Sequence, residues 1–176
     1  MFPRIRQLET LLLIVLSVLS TASIGACQEP IAVLIERLDS DASIADKAAA
    51  CRNLKQTGGV TAVPSLAKLL DDPRLSHEAR IALESMPGDA ASAALRAAVN
   101  QTGGDLQSGI IDSIGQRRDV RAVPLLVPLL DSPDAQVADS AAMAVGKIAA
   151  PESAAALQDA FQQAQPDRKL AIGDAL

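Results

Sequence analysis

The chain has 176 residues, 49% of them apolar, yet its only aromatic side chains are Phe2 and Phe161. Sixteen basic and 21 acidic residues leave a net charge of −5. That length fits one domain with a core of Ala, Leu, Val and Ile. The lack of rings argues against single-stranded nucleic acid, which is gripped by stacking, and the acidic balance argues against duplexes, whose phosphates need clustered cations.

Residues 1–26 read as a targeting segment. Arg4 and Arg6 make a basic start, Leu11 to Leu19 is apolar apart from Ser17, and Ser20, Thr21, Ala22, Ser23, Gly25 and Ala26 supply small residues near a cleavage site. The apolar run is shorter than the roughly 20 residues a membrane-spanning helix needs. Its removal leaves 14 basic and 20 acidic residues, net −6. Ile24-Gly25-Ala26-Cys27 resembles the signal of bacterial lipoproteins, the lipobox, with Ile24 where Leu is commoner. The resemblance implies that Cys27 is lipidated and that the protein is exported to the periplasm or cell envelope on a membrane anchor. An ordinary cleavage after Ala22 or Ala26 is the alternative. Residues 27–29 are then a short tether. Cys51 is read as a small, partly buried residue, with a Cys27–Cys51 disulfide as the alternative in an oxidising compartment.

From residue 30 onward the chain repeats itself about every 30 residues. Ala62-Val63-Pro64-Ser65-Leu66-Ala67-Lys68-Leu69-Leu70-Asp71-Asp72-Pro73 returns, 60 residues on, as Ala122-Val123-Pro124-Leu125-Leu126-Val127-Pro128-Leu129-Leu130-Asp131-Ser132-Pro133. A period of this length signals a stack of units that cover each other's apolar faces. The units are taken as 30–59, 60–89, 90–119, 120–150 and an incomplete 153–176. Because Leu176 aligns with mid-helix positions, the chain is read either as part of a longer array or as ending in a frayed helix.

The first predicted helix (Ile31, Ala32, Val33, Leu34, Ile35, Leu38) is apolar on most sides, so its outer side should meet a membrane, a partner or the signal region. The next apolar face, Val63 to Leu70, should be one helix ended by Asp71-Asp72-Pro73, with Pro64 and Pro124 in first turns. Pro128 lies deeper, where a proline kinks a helix or shifts its start. The second helices of the units align on Leu54, Leu83, Ile114 and Val145, preceded by Ala50/Cys51, Ala79/Arg80, Ile110/Ile111 and Ala141/Ala142, a buried stripe. Gly115 and Gly146 follow it and either permit close packing or loosen the helix end. Gln-Thr-Gly-Gly occurs at 56–59 and 101–104, and its glycines are read as left-handed helix caps, not as a phosphate loop. Arg117, Arg118 and Arg121 are read as a solvated loop.

The residues Ile114-Gly115-Gln116-Arg117-Arg118-Asp119-Val120-Arg121-Ala122-Val123-Pro124-Leu125-Leu126 and Ala144-Val145-Gly146-Lys147-Ile148-Ala149-Ala150-Pro151-Glu152-Ser153-Ala154-Ala155-Ala156-Leu157 resemble the HEAT-like repeat of the phycobilisome-lyase type. The resemblance implies an all-α fold, a right-handed α-solenoid of stacked helical hairpins (an armadillo-type superhelix), and a role in binding proteins.

Catalytic chemistry is not expected. His77, the one histidine, belongs to no zinc set and no nucleophile elbow, and reads as an exposed residue at a helix start. The aspartates at 71, 72 and 131 precede prolines and cap turns. Neither metal nor cofactor is anticipated. What remains is a surface, the concave side that second helices line in such solenoids, with Arg52, Lys55, His77, Glu78, Asp112, Gln116, Asp139 and Lys147 pointing outward. The expectation is therefore a non-catalytic exported scaffold for protein partners, without nucleic acid. A docking segment of a larger exported enzyme and a bilin-lyase-like accessory protein are the alternatives.

Overall fold

The computed structural model describes residues 29–163 and 166–175, so the signal segment and Cys27 lie outside the described residues. Among the described residues there are helices and turns and no strand. The helices are α1 (Ile31–Asp39), α2 (Ile44–Thr57), α3 (Val63–Ala67), α4 (Ser76–Ser85), α5 (Asp89–Val99), α6 (Gly104–Gln116), α7 (Val123–Leu126), α8 (Ala135–Ile148), α9 (Pro151–Gln163) and α10 (Pro166–Ala175). Each odd helix pairs with the even helix after it. The even helices pack in file, α2 on α4, α4 on α6, α6 on α8 and α8 on α10. On the other layer α1 packs on α3 and α3 on α5. The fold is an α-solenoid, two layers deep, in which each hairpin supplies half of the core its neighbour needs.

The period-3.6 stripe explains why. Leu54, Leu83, Ile114 and Val145, one from each of four successive even helices, are all fully buried, and Ile172 of α10, in register with Ala141 one unit earlier, is buried as well. The helix starts follow local chemistry. Ser43 Oγ accepts from the Asp46 N–H at the start of α2, and the Asp134 carboxylate accepts from the Gln136 and Val137 N–H groups at the start of α8. Asp72 caps its own turn by accepting the Arg74 N–H at 2.8 Å.

The odd layer is less regular than its sequence suggests. The face from Val63 to Leu70 is buried as expected, but the α-helix ends at Ala67 and the chain tightens, with the Leu69 N–H on the Leu66 carbonyl and the Leu70 N–H on the Ala67 carbonyl. Pro128 has a similar effect. The segment starts as α7 and continues from Val127 to Asp131 as a 3₁₀ helix, because proline removes a donor and its ring crowds the preceding turn.

The glycine caps are a correction. Gly58 leaves α2 with φ −68°, and Gly59 and Gly103 are also extended. Gly104 does have φ +54°, but it begins α6 and does not end α5. Space, not handedness, requires glycine at 58: a β-carbon there would run into the Leu54 carbonyl and lie 2.5 Å from Met86 Cε. The left-handed caps are instead Arg118 (φ 50°) and Ala149 (φ 52°). After α6 the Arg118 N–H reaches the Gly115 carbonyl and the Asp119 N–H reaches the Ile114 carbonyl, the paired bonds of a Schellman turn.

Candidate functional site on the even-helix layer

Two of the grooves among the described residues run between the even helices. One, of about 300 Å³, lies across α2, α4 and α6 and is lined by Lys55, Ile81, Glu84, Ser85 and Gln116. The other, of about 480 Å³, lies between α8 and α10 and is lined by Asp139, Met143, Gly146, Lys147, Asp174 and Ala175. Four of the residues singled out from the sequence therefore line grooves: Lys55 and Gln116 the first, Asp139 and Lys147 the second. Arg52 and Glu78 instead meet each other across α2 and α4 at 3.3 Å. His77 is exposed at the start of α4 and accepts at Nδ1 from the Arg80 guanidinium.

Asp112, on α6, is half-buried and lines neither groove. Burial raises its pKa above the ordinary carboxylate value, while Lys147, Arg80 and the Ser140 hydroxyl pull it back. Among the described residues no cation lies within ion-pair distance of Glu84, Asp112, Asp139 or Asp174. Glu84 accepts the Ser113 hydroxyl at 2.7 Å.

The arginines that could have answered those carboxylates are committed elsewhere. Arg80 sits at a stripe position where the other units carry Cys51, Ile111 and Ala142. Its guanidinium donates to the Gly109 carbonyl (2.7 Å) and to Ser113 Oγ (3.0 Å), in space that a side chain at 109 would fill. Desolvation lowers its pKa.

Arg117 corrects the solvated-loop reading. It is half-buried and donates to the carbonyls of Leu83, Glu84, Met86 and Gly88 and to Ser92 Oγ, all within 2.9 Å. It thereby satisfies the carbonyl end of α4 and ties it to α5 and α6. Arg121 pairs with Asp89 at 2.6 Å, and Asp119 pairs with Arg96, the two side chains being 8% and 18% exposed. Of the three, Arg118 is the exposed residue with no side-chain partner among the described residues. Nothing in the sequence marks Arg117 as a staple, because its acceptors are main-chain carbonyls about 30 positions away.

Cys51 is fully buried, and that burial pushes its thiol up to about 11, so it stays protonated at neutral pH. Among the described residues no group of His, Cys, Asp and Glu is arranged to hold a metal, and no helix is long and apolar enough to cross a membrane.

Residues 103–176 match the profile of a protein family described as HEAT repeats. The matched stretch runs from the start of α6 to α10. No curated protein matches the chain. Match and architecture agree, and together they support a HEAT-like repeat protein, an architecture that commonly serves as a scaffold for protein–protein interaction.

Proposed function

We propose that this protein is a non-catalytic scaffold of the cell envelope that receives a protein partner on its even-helix layer. The observation that carries this reading is the contrast in how charges are used. Arg80 and Arg117 are bonded to carbonyls and Arg96, Asp119, Arg121 and Asp89 are paired, whereas Lys55, Glu84, Asp139 and Lys147 face the grooves with no ion pair among the described residues. Unpaired polar groups around an apolar floor suit a protein contact of modest affinity. The phycobilisome-lyase type of repeat is the variety its sequence favours, and the function it supports here is docking, not chromophore chemistry. The basic and apolar N-terminal run and the lipobox-like Ile24-Gly25-Ala26-Cys27 support export and a lipid anchor.

The test of the surface is the combined isosteric variant Glu78→Gln, Asp112→Asn, Asp139→Asn. It should stay cooperatively folded, with a stability within about 1 kcal/mol of the native protein, and lose partner capture, and undiminished capture would overturn the even-helix layer as the site. The anchor is tested by intact mass of the membrane fraction. Mature protein beginning at an acylated Cys27 is expected, and an unmodified species beginning at Ser23 or Cys27 would overturn it.

A further inference from the structure

The groove between α8 and α10 has a more specific chemistry. Its floor is apolar: Met143 is 50% exposed within it, flanked by Gly146 and Ala175. The floor exists because α8 and α10 approach closely at Gly146, where a β-carbon would lie 2.5 Å from the Ala175 carbonyl oxygen. A methionine exposed in a concavity is a flexible, polarizable surface that adapts to an incoming apolar side chain. At about 480 Å³ the groove falls within the range of roughly 300–1,000 Å³ typical of binding clefts.

The rim is acidic. Asp139 and Asp174 stand on the two helices that bound the groove, and Asp112 of α6, outside the lining, feels the charge of Lys147. Among the described residues Lys147 is the one cation in the lining, and it also attracts Asp112. Arg80, whose charge also acts on Asp112, is held by Gly109 and Ser113. A segment entering the groove thus meets an apolar floor beside two carboxylates that have no ion pair among the described residues, and electrostatic complementarity favours a basic one.

We infer that the groove between α8 and α10 binds a lysine- or arginine-bearing segment of a protein partner, with an apolar side chain of that segment set on Met143. This deepens the scaffold reading and rests on it. The cations face Asp139 and Asp174, and neighbouring apolar groups displace water from the floor. Rim charges of this kind act mainly on encounter rate and selectivity, so binding should weaken as salt rises.

The probe is a short synthetic peptide of alternating lysine and leucine, titrated into the full chain at low salt and compared with its glutamate-for-lysine and serine-for-leucine counterparts. The lysine–leucine peptide should bind and both counterparts should bind at least about fivefold more weakly. Asp139→Asn with Asp174→Asn, or Met143→Ser alone, should loosen the peptide by about five- to tenfold. Neither variant disturbs a buried group, and an unchanged unfolding transition verifies it.

The control is Asp131→Asn with Asp159→Asn. These two aspartates line a groove on the odd-helix side with Val127, Leu130 and Ala160, and remove the same charge. Equal weakening by both aspartate pairs would mean attraction to net charge alone and would overturn the proposal, as would preference for the glutamate peptide. If the natural partner is captured through the even helices while the lysine–leucine peptide does not bind, the basic segment is refuted and the scaffold stands. If nothing is captured through that layer, the scaffold reading fails with it.

Discussion

The joint between α4 and α6 and the joint between α6 and α8 perform the same stacking with opposite chemistry. The first is closed by arginines: Arg80 reaches across to Gly109 and Ser113, and Arg117 reaches back to four carbonyls at the end of α4. The second is closed by contact at its centre, where Gly115 lies so near Ala144 that a β-carbon would sit 2.8 Å from the Ala144 α-carbon. A glycine sets the spacing in both, but Gly109 yields its space to a guanidinium and Gly115 yields it to backbone. The arginine joint therefore depends on directional bonds, and the small-residue joint on shape. The difference also bears on function. Because Arg80 and Arg117 are spent on carbonyls, the neighbouring carboxylates Glu84 and Asp112 have no ion pair among the described residues.

Removing the staple should break that comparison most visibly. Arg117→Met keeps the aliphatic stem but strands several carbonyls, and should cost on the order of 3 kcal/mol, seen as a fall in Tm of roughly 6–12 °C. Arg117→Lys should recover less than half of it, since one ammonium cannot reach the same set of acceptors.

The two glycines sharpen the contrast. Alanine is ordinarily better than glycine inside a helix by about 1 kcal/mol. Gly115→Ala should nonetheless destabilise by about 1–2 kcal/mol, because the Ala144 backbone cannot yield. Gly109→Ala meets only the end of the flexible Arg80 side chain, so the lost Arg80–carbonyl bond should roughly cancel the helix gain. With Arg80→Met already present, Gly109→Ala should become stabilising by about 1 kcal/mol, a coupling that a double-mutant cycle in urea would read directly.

The smallest effect belongs to Asp112. Its folded pKa is raised, so the folded state takes up a proton before the unfolded state does as pH falls. The charged group thus detracts from stability at neutral pH and stops doing so once the pH drops towards the ordinary carboxylate value of about 3.9. Asp112→Asn should stabilise by less than about 1 kcal/mol at pH 7, and the gain should vanish below about pH 4. Paired denaturation curves at the two pH values check both sign and window.

These joints also mark where the sequence was readable. The repeat and the buried row Leu54, Leu83, Ile114, Val145 follow from apolar period alone, since only helices at that spacing bury one side chain per unit in file. Gly115 and Gly146 posed two options, and close packing is the one realised. Arg80 and Arg117 were opaque, because a residue type usual on surfaces was bound to main-chain carbonyls that carry no side-chain signature. One clue was available: Gly109 is an unforced glycine inside a helix, 29 residues beyond an arginine occupying an apolar stripe position. For the grooves, the sequence could nominate outward positions, but not the Met143 floor, which depends on how closely α10 approaches α8.

Cross-linking decides the central claim most directly. A photoreactive residue placed at Lys55 or Met143, on the even-helix layer, is compared with one at Asp131 or Asp159, on the odd-helix side, in otherwise native protein. Adducts to one common partner are expected from positions 55 and 143 and none from 131 and 159. Adducts confined to 131 and 159 would contradict it.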